Sequence, residues 1–282
     1  MLTKTYGRIV NMITCEVLNN IVPIGFRGNP SDGATVVPIW IGTGFIVRER
    51  LKDTTRLYLI TNKHVVQQRT EILVRLRDVQ GTPACSDGTV VLYDPNGARF
   101  SAHPNPNVDI VAISIDSRVQ KNGHLGFDLD SEVMTLQDMK EQGAGEGDVI
   151  YSLGFPMGIV NVKHSYPICR MGCISSISSA YDGLNPIDFI VDAQSFPGNS
   201  GGPIVIKSQQ QTDATKVKLI GVLCAYIPYQ EVLISQQTQK ARSTMEENSG
   251  LTIVHPVDRI LDVVRLESAR IDMVLCNRSP NL

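Results

Sequence analysis

The sequence predicts an all-β protein with one helix near each end. From about residue 36 onward, short runs rich in Val, Ile, Thr and Tyr alternate with Gly, Pro, Asn and Asp, a pattern typical of many strands. A polar gap over residues 119–147 separates the runs into two groups. We therefore expect two β-barrel units, residues 36–130 and 131–267, between an N-terminal extension (1–35) and a C-terminal tail (268–282).

Eight runs carry the strand prediction most clearly. They are residues 40–47, 56–61, 71–77, 108–115, 149–154, 189–193, 204–207 and 218–226. No segment of about 20 to 50 residues repeats along the chain, so the sequence does not favour a propeller or a solenoid.

Two segments have helical character. One lies within residues 5–21, and the other covers residues 257–267, where Pro256 and Asp258 suit the first turn of a helix. The second segment has an apolar face at helical spacing. That face consists of Ile260, Leu261, Val263 and Val264.

Residues 230–250 form a second polar segment, rich in Gln, Ser, Thr and charge, that interrupts the later strand group. Long polar segments of this kind are either mobile loops over a site or solvated insertions. The sequence leaves both interpretations open.

The charge pattern argues against a polyanionic partner or a membrane span. The net charge is -2, from 26 Lys and Arg against 28 Asp and Glu, and the basic residues are spread along the chain. The longest mostly apolar run, residues 36–47, contains Pro38 and is shorter than the about 20 residues that a spanning helix needs. We expect neither nucleic acid nor membrane as a partner.

The six cysteines show no paired CxxC spacing, and we interpret them as reduced thiols. Asn11 and Glu16 interrupt the apolar stretch near the N-terminus before it resembles the core of a signal peptide. Together these features predict a cytoplasmic protein. Cys169 and Cys173 are four residues apart, with no histidine or cysteine pair to complete the four ligands of a zinc site, so we expect no metal and no cofactor.

The segment FPGNSGGP, residues 196–203, places Ser200 among three glycines directly before an apolar run. Glycines on both sides allow a sharp turn that exposes the hydroxyl. The same turn can aim the backbone N–H groups of Gly198 and Ser200 into one concavity, which would suit an oxyanion. Taken alone, the segment is more typical of an ordinary Gly-rich turn than of a catalytic loop.

Two other residues change that interpretation. His64 ends the apolar run LYLITNKHVV, and Asp109 begins the run DIVAISI. Either could be structural by itself, but the order His, Asp, Ser within a strand-rich chain is that of a nucleophilic triad. Competing candidates for the histidine and aspartate roles lie in polar, Pro-adjacent or Gly-adjacent segments, or follow a strand. These are His103, Asp116, His124, His164 and His255.

Through GTGFIV (42–47), TNKHVV (61–66), DIVAI (109–113) and GNSGGP (198–203), the sequence resembles the trypsin-like serine peptidases. It is most similar to standalone bacterial peptidases of the HtrA/Deg type without a PDZ domain. The resemblance covers about residues 36–267. It implies two six-stranded antiparallel β-barrels with the site in the cleft between them, Ser200 as nucleophile, His64 as general base and Asp109 orienting the histidine.

The resemblance also implies a specificity pocket. Gln194, flanked by Ser195, would lie at its floor, and Cys224, Ala225 and Tyr226 would form a wall that pairs with the substrate backbone. Since no carboxylate lies at the floor, we expect cleavage after small or medium apolar residues rather than after Lys or Arg.

Asn199 stands before the serine where digestive relatives carry Asp, so we expect activation by a loop rearrangement or a protein partner rather than by N-terminal clipping. The sequence thus predicts a serine endopeptidase acting on proteins or peptides. A catalytically silent relative that binds a partner in the cleft, and an esterase using the same triad, are the two competing hypotheses.

Overall fold

The computed structural model describes residues 13–28, 37–77, 85–95, 97–115, 126–161, 165–184, 188–207 and 217–278. Asp116, His124 and His164, three of the competing triad candidates, lie outside these ranges, as do residues 5–12 of the first helical segment and residues 279–282.

The first half of the chain is a sheet of eight strands. Their order is β5-β4-β1-β2-β3-β9-β8, and β10 adds to β2 in parallel. The bounds are β1 (Ile21–Arg27), β2 (Pro38–Arg50), β3 (Thr55–Thr61), β4 (Glu71–Arg77), β5 (Cys85–Val91), β8 (Phe100–Ala102), β9 (Val111–Ile115) and β10 (Phe127–Asp128). A separate small hairpin joins β6 (Tyr93–Asp94) to β7 (Gly97–Ala98).

The second half is a closed antiparallel barrel of six strands in the order β11-β12-β13-β16-β15-β14. The bounds are β11 (Val149–Gly154), β12 (Ile168–Ser176), β13 (Phe189–Asp192), β14 (Pro203–Lys207), β15 (Val217–Ile234) and β16 (Ala241–Pro256). Closure leaves no free sheet edge within the barrel.

Five helices accompany the strands in the described ranges: α1 (Cys15–Asn19), α2 (Lys63–Val66), α3 (Leu136–Glu141), α4 (Ser178–Tyr181) and α5 (Val257–Arg278). Helix α1 lies in the first predicted helical segment. Helix α5 begins where predicted but continues through Arg278, so residues 268–278 of the expected tail are helical. The all-β fold with a helix near each end is confirmed. Only the second half forms a closed six-stranded barrel among the described residues.

Two further differences concern the sheets. Strand β1 lies within residues 1–35, the expected extension, yet it pairs with β2 and β4 in the first sheet. Residues 230–250, for which the sequence left a mobile loop and a solvated insertion both open, form most of a long hairpin between β15 and β16. In both places cross-strand pairing, rather than a local sequence pattern, forms the strand.

One apolar core joins the two halves. It combines residues of the first sheet, the barrel and α5, including Phe45, Tyr58, Leu153, Val205 and Ile260. The barrel has its own core around Ile150, Val191 and Ile220, and the first sheet has another around Ile46, Leu59 and Ile113. Because the shared core bridges the halves, groups from both are held in fixed relation.

We predict that α5 stabilises the apolar core that joins the two halves. Ile260→Ala removes a fully buried side chain and should lower the free energy of unfolding by about 2–5 kcal/mol. Leu266→Ala, on the same helix but 44% exposed, is the matched control and should change it by less than about 0.5 kcal/mol. Urea denaturation followed by fluorescence measures both variants, and equal effects would contradict the prediction.

Candidate active site

His64 and Asp109 meet because neighbouring strands place them together. Strand β3 ends at Thr61 and pairs there with Val111, where β9 begins. His64 follows β3 in the single turn α2, and Asp109 precedes β9. His64 Nδ1 lies 2.5 Å from Asp109 Oδ2, and the backbone N–H of His64 donates to Asp109 Oδ1 at 3.2 Å.

Asp109 is held as an ionised acceptor. Burial raises the pKa of its carboxyl, but hydrogen bonds from the His64 side chain, its positive charge when protonated, and backbone N–H donors outweigh burial and bring the pKa below its ordinary value. An ionised Asp109 favours the proton on Nδ1 of His64. That tautomer leaves the Nε2 lone pair free to accept a proton.

The backbone of Asp109 is fixed as firmly as its carboxylate. Asn62 Nδ2 donates to Asp109 O at 2.7 Å, and the N–H of Asp109 donates to His255 Nε2 at 2.9 Å. His255 is 1% exposed, and its Nδ1 lies 2.5 Å from Asp188 Oδ1. Sequence reasoning set His255 aside because it stands before Pro256 at a helix start. No local pattern reveals a partner so distant in the chain.

Ser200 lies in a loop that requires glycine on both sides. Gly198 and Gly201 have φ angles of +99° and +84°, a region that residues with a Cβ rarely adopt. A Cβ at Gly198 would lie 2.4 Å from Phe155 O, and one at Gly201 would lie 2.2 Å from Thr43 O. The loop is therefore packed against both halves of the molecule.

The hydrogen bonds of this loop fix the orientation of two backbone N–H groups, those of Gly198 and Ser200. In a trans peptide the carbonyl and the following N–H point in opposite directions. Pro197 O accepts from Met157 N–H at 2.5 Å, and Asn199 O accepts from Gly202 N–H at 2.9 Å. These anchors turn the N–H groups of Gly198 and Ser200 the other way, and neither donates a hydrogen bond within the described part of the chain.

Met157 itself has a φ angle of +56° within the 3-10 turn Pro156–Gly158. A positive φ in a residue with a Cβ is a strained conformation that surrounding contacts must maintain. Here the strained residue supplies the donor that fixes Pro197 O. Sequence reasoning missed Met157 because only the fold brings its turn against residues 196–198.

A cavity of ≈ 270 Å³ opens at this point. It is lined by His64, Ser195, Phe196, Pro197, Ser200, Cys224, Ala225 and Tyr226. His64 and Ser200 thus share one concavity. A hydrogen bond from Ser200 Oγ to His64 Nε2 is not among those formed by the described residues; the bond between a nucleophile and its base often shortens only when a reactant is bound.

Most of the pocket residues expected from the sequence line the cavity, namely Ser195, Cys224, Ala225 and Tyr226. Gln194 is exposed, lies beside the lining residues, and its carbonyl accepts from Arg170 Nη1 at 2.6 Å. Its role at the floor stays a prediction. Asn248 Nδ2 donates to Ser195 O at 2.5 Å, so β16 supports the same wall.

Cys224 contacts the carboxylate as well as the cavity. Its Sγ lies 3.8 Å from Asp109 Oδ2. Burial, followed by the negative charges of Asp109 and Asp188, raises the pKa of the thiol to about 12. Cys224 therefore stays protonated, can donate to Asp109, and is a poor nucleophile.

His103, a further candidate for the general base, does not join this site. It is buried, and its Nδ1 accepts from Asn105 N–H at 3.1 Å while its carbonyl accepts from Lys63 Nζ, so its contacts are structural.

Within the described ranges, no three His, Cys, Asp or Glu side chains are grouped closely enough to hold a metal ion. None of the described helices combines the length and apolar character that crossing a membrane requires.

Comparisons with known proteins indicate the family of this chain. The family model described as a trypsin-like peptidase domain matches residues 42–211. The chain is 28% identical to a Pseudomonas fluorescens protein named probable periplasmic serine endoprotease DegP-like, over 58% of this chain and 26% of that protein. It is 26% identical to the human serine protease HTRA4 over 72% of this chain and 36% of the relative.

A putative serine protease, HhoA from Synechocystis, is 26% identical over 76% of this chain and 45% of its own length. A solved structure titled HtrA-type protease AlgW with decapeptide shares the fold, with a TM-score of 0.50 and 20% identity over 90% of this chain and 65% of that chain. The chain spans less than half the length of each of the three relatives.

The environment of Cys224 predicts low reactivity. At pH 8 iodoacetamide should alkylate Cys224 at least about a hundredfold more slowly than the exposed Cys276, because almost none of a thiol with a pKa of about 12 is ionised. Peptide mapping by mass spectrometry of native protein over time measures both rates. Similar rates at the two cysteines would contradict the arrangement described above.

Proposed function

This chain belongs to the trypsin-like peptidase family, and we propose that it is a serine endopeptidase that cleaves peptide bonds through an acyl-enzyme on Ser200. The observation that carries the proposal is the shared cavity. It combines Ser200 with a histidine already oriented by an ionised aspartate, beside two backbone N–H groups with no partner in the described structure.

The first half of the reaction forms the acyl-enzyme. Ser200 Oγ attacks the substrate carbonyl while its proton passes to His64 Nε2, and Asp109 stabilises the resulting imidazolium. The carbonyl oxygen becomes an oxyanion that accepts hydrogen bonds from the N–H groups of Gly198 and Ser200. Each such donor is worth about 10²–10³ in kcat in enzymes of this kind. His64 then gives the proton to the leaving amine, and the C–N bond breaks.

The second half repeats these steps with water. His64 Nε2 accepts a proton from the water as its oxygen attacks the ester carbonyl, and the proton returns to Ser200 Oγ when the C–O bond breaks. The same two N–H groups hold the second oxyanion. The products are a carboxylic acid and free enzyme.

The substrates we propose are proteins or peptides cut after small or medium apolar residues. Tyr226 narrows the cavity, and no Asp or Glu is among the described residues that line it, so a Lys or Arg side chain would enter without a counter-ion. Cys224, Ala225 and Tyr226 would pair with the substrate backbone as an antiparallel neighbour.

We also propose that activation does not require N-terminal clipping. Asn199 is buried beside the nucleophile and carries no charge with which to capture a new terminal amine. A loop rearrangement or a protein partner would set the active state instead. The cytoplasmic location stays a prediction, since the relatives from Pseudomonas are named periplasmic.

The test of the chemistry is covalent labelling. A small fluorophosphonate should add one mass increment to the wild-type protein at Ser200, and Ser200→Ala and His64→Ala should each lower the labelling rate by at least about 10³. Ser178→Ala, in α4 and outside the cavity, is the serine control and should label as the wild type does. Intact mass spectrometry with peptide mapping measures all four proteins.

Failure of the wild-type protein to label, while its fold is intact by circular dichroism, would contradict the proposed function. That result would favour a silent, partner-binding relative. Labelling of Ser200→Ala at the wild-type rate would show that another nucleophile had reacted.

Specificity is tested with matched peptides. A peptide with Val or Ala before the scissile bond should be cleaved with a kcat/KM at least about tenfold higher than the same peptide with Arg, because a buried guanidinium without a carboxylate partner is costly. Chromatography of the cleavage products over time measures kcat/KM for each peptide. Preferential cleavage of the Arg peptide would overturn the predicted pocket.

A further inference from the structure

Strand β15 continues far beyond the cavity. It lines the cavity as far as Tyr226 and then runs to Ile234, where a turn leads into β16 at Ala241. From residue 228 to residue 247 every side chain is exposed except that of Ser235, which is half-buried. This segment, residues 227–248, is a two-stranded ribbon that projects from the barrel, and we call it the arm.

The arm has an open edge on the side that continues the cavity. Strand β14 pairs with β15 only as far as Val222, and Leu223 still exchanges hydrogen bonds with the loop at Gly201 and Gly202. From Ala225 onward, β16 is the only strand paired with β15 among the described residues. The eight residues beyond Tyr226 extend this edge by about 26 Å.

Pro228 indicates which groups face the open edge. Proline has no N–H to donate, so within a sheet its nitrogen is placed on the side without a partner strand. Backbone groups alternate in direction along an antiparallel strand. Gln230 and Val232 therefore present their N–H and C=O groups to the open edge, while Tyr229, Glu231 and Leu233 bond to β16.

The arm exposes more apolar surface than an isolated ribbon usually tolerates. The side chains of Tyr229, Val232, Leu233, Ile234 and Met245 are each half exposed or more. Two-stranded hairpins are marginally stable in water, and proteins usually protect free edges with lysines, prolines or bulges. Such features lie at the two ends of this edge: Pro228 at its base, and register shifts between Tyr226 and Pro228 and between Leu233 and Ile234. Between them, from Tyr229 to Leu233, the edge is regular and carries a single charge, Glu231, and no lysine.

The base of the arm is fixed to the wall of the cavity. Asn248 Nδ2 donates to Ser195 O, and Asn248 Oδ1 accepts from Gly250 N–H at 2.9 Å. Ser249 Oγ donates to Ile227 O at 2.5 Å across the two strands. These bonds hold the open edge of the arm in line with the part of β15 that lines the cavity.

We propose that the arm extends the substrate site. The polypeptide segment that precedes the scissile bond adds along β15 as a third antiparallel strand, so recognition reaches about ten residues before the cut. The occupant is a substrate because one strand, Val217–Ile234, forms the cavity wall and then continues into the open edge, although its register with β16 shifts between Tyr226 and Pro228. The inference rests on the proposed endopeptidase function. It specifies substrates that are unfolded and extended, with apolar residues before the cut.

The experiment compares two peptides that share one cut. The wild-type protein first digests β-casein, an unstructured protein, and mass spectrometry identifies a bond that it cleaves. Two peptides are then synthesised around that bond. Both contain the same six residues after the cut, and they contain either four or ten residues before it. For the wild-type protein we expect kcat/KM to be at least tenfold higher for the long peptide, mainly through a lower KM.

Two proline variants separate the edges of the arm. Val232 and Thr244 are opposite each other in the hairpin, and each N–H faces its own outer edge. Val232→Pro blocks the β15 edge and should lower kcat/KM for the long peptide at least fivefold. Thr244→Pro makes the same change on the β16 edge and should leave it within twofold. Neither substitution should alter cleavage of the short peptide.

A third variant removes the arm. Tyr229 and Glu247 are cross-strand partners, so replacing residues 230–246 with Asn-Gly closes a two-residue hairpin at that point. This protein should cleave both peptides at the rate of the short one. Equal cleavage of both peptides by the wild type would overturn the extended site while leaving the peptidase function intact.

Two other outcomes also decide the question. If the wild type cuts no bond of β-casein, the proposed peptidase function fails. Fluorescence anisotropy of two labelled β-casein fragments, one six residues longer than the other, then tests the arm directly, and equal affinities would overturn its role. The last outcome combines three results: the wild type is a dimer by sedimentation, the shortened protein is a monomer, and peptide length has no effect on cleavage. Together they would show that the arm binds a second copy of the chain instead of a substrate.

Discussion

The hydrogen bonds of Thr43 join the two halves of the candidate site. Its N–H donates to Ser200 O at 2.9 Å, and its Oγ1 donates to Gly198 O at 2.6 Å while accepting from Phe155 N–H at 3.0 Å. Its carbonyl accepts from Thr61 Oγ1 at 2.8 Å. A single buried residue of the first sheet thus fixes the loop that carries Ser200 relative to the strand that leads to His64.

That constraint explains why the surrounding positions are so restricted. Once Thr43 O lies against the loop, Gly201 has no room for a Cβ, and Gly198 is equally confined by Phe155 O. The strained turn at Met157 fixes the carbonyl of Pro197, and buried His255, paired with the partly exposed Asp188, accepts from the N–H of Asp109. Each thus restrains the backbone at a residue of the candidate site.

Strand β15 has a different number of neighbouring strands inside the barrel and in the arm. Within the barrel, β15 has a neighbour on each side and its backbone groups are satisfied. Beyond the barrel it keeps one neighbour among the described residues, and the other edge is available for pairing. A single uninterrupted strand can therefore serve as structural wall, pocket lining and open edge along its length.

Much of this protein could be predicted from local sequence. Short apolar runs such as residues 56–61 and 149–154 are strands because β-branched and aromatic side chains favour an extended backbone, and both runs are mostly buried in their sheets. GNSGGP marked the Ser200 loop because positive φ angles demand glycine. The order of His64, Asp109 and Ser200 identified which residues would meet, since few other arrangements of these types carry the same chemistry.

Only the tertiary structure decided the rest. Residues 230–250 are mostly polar, yet they form a hairpin because β15 and β16 pair from Gly221 to Ile234. His255 supports Asp109 from 146 residues away, and Met157 reaches Pro197 only through the fold. Hydrogen-bond partners distant in the chain leave no periodic signal in it, because backbone donors are present at nearly every residue and only folding selects which of them meet.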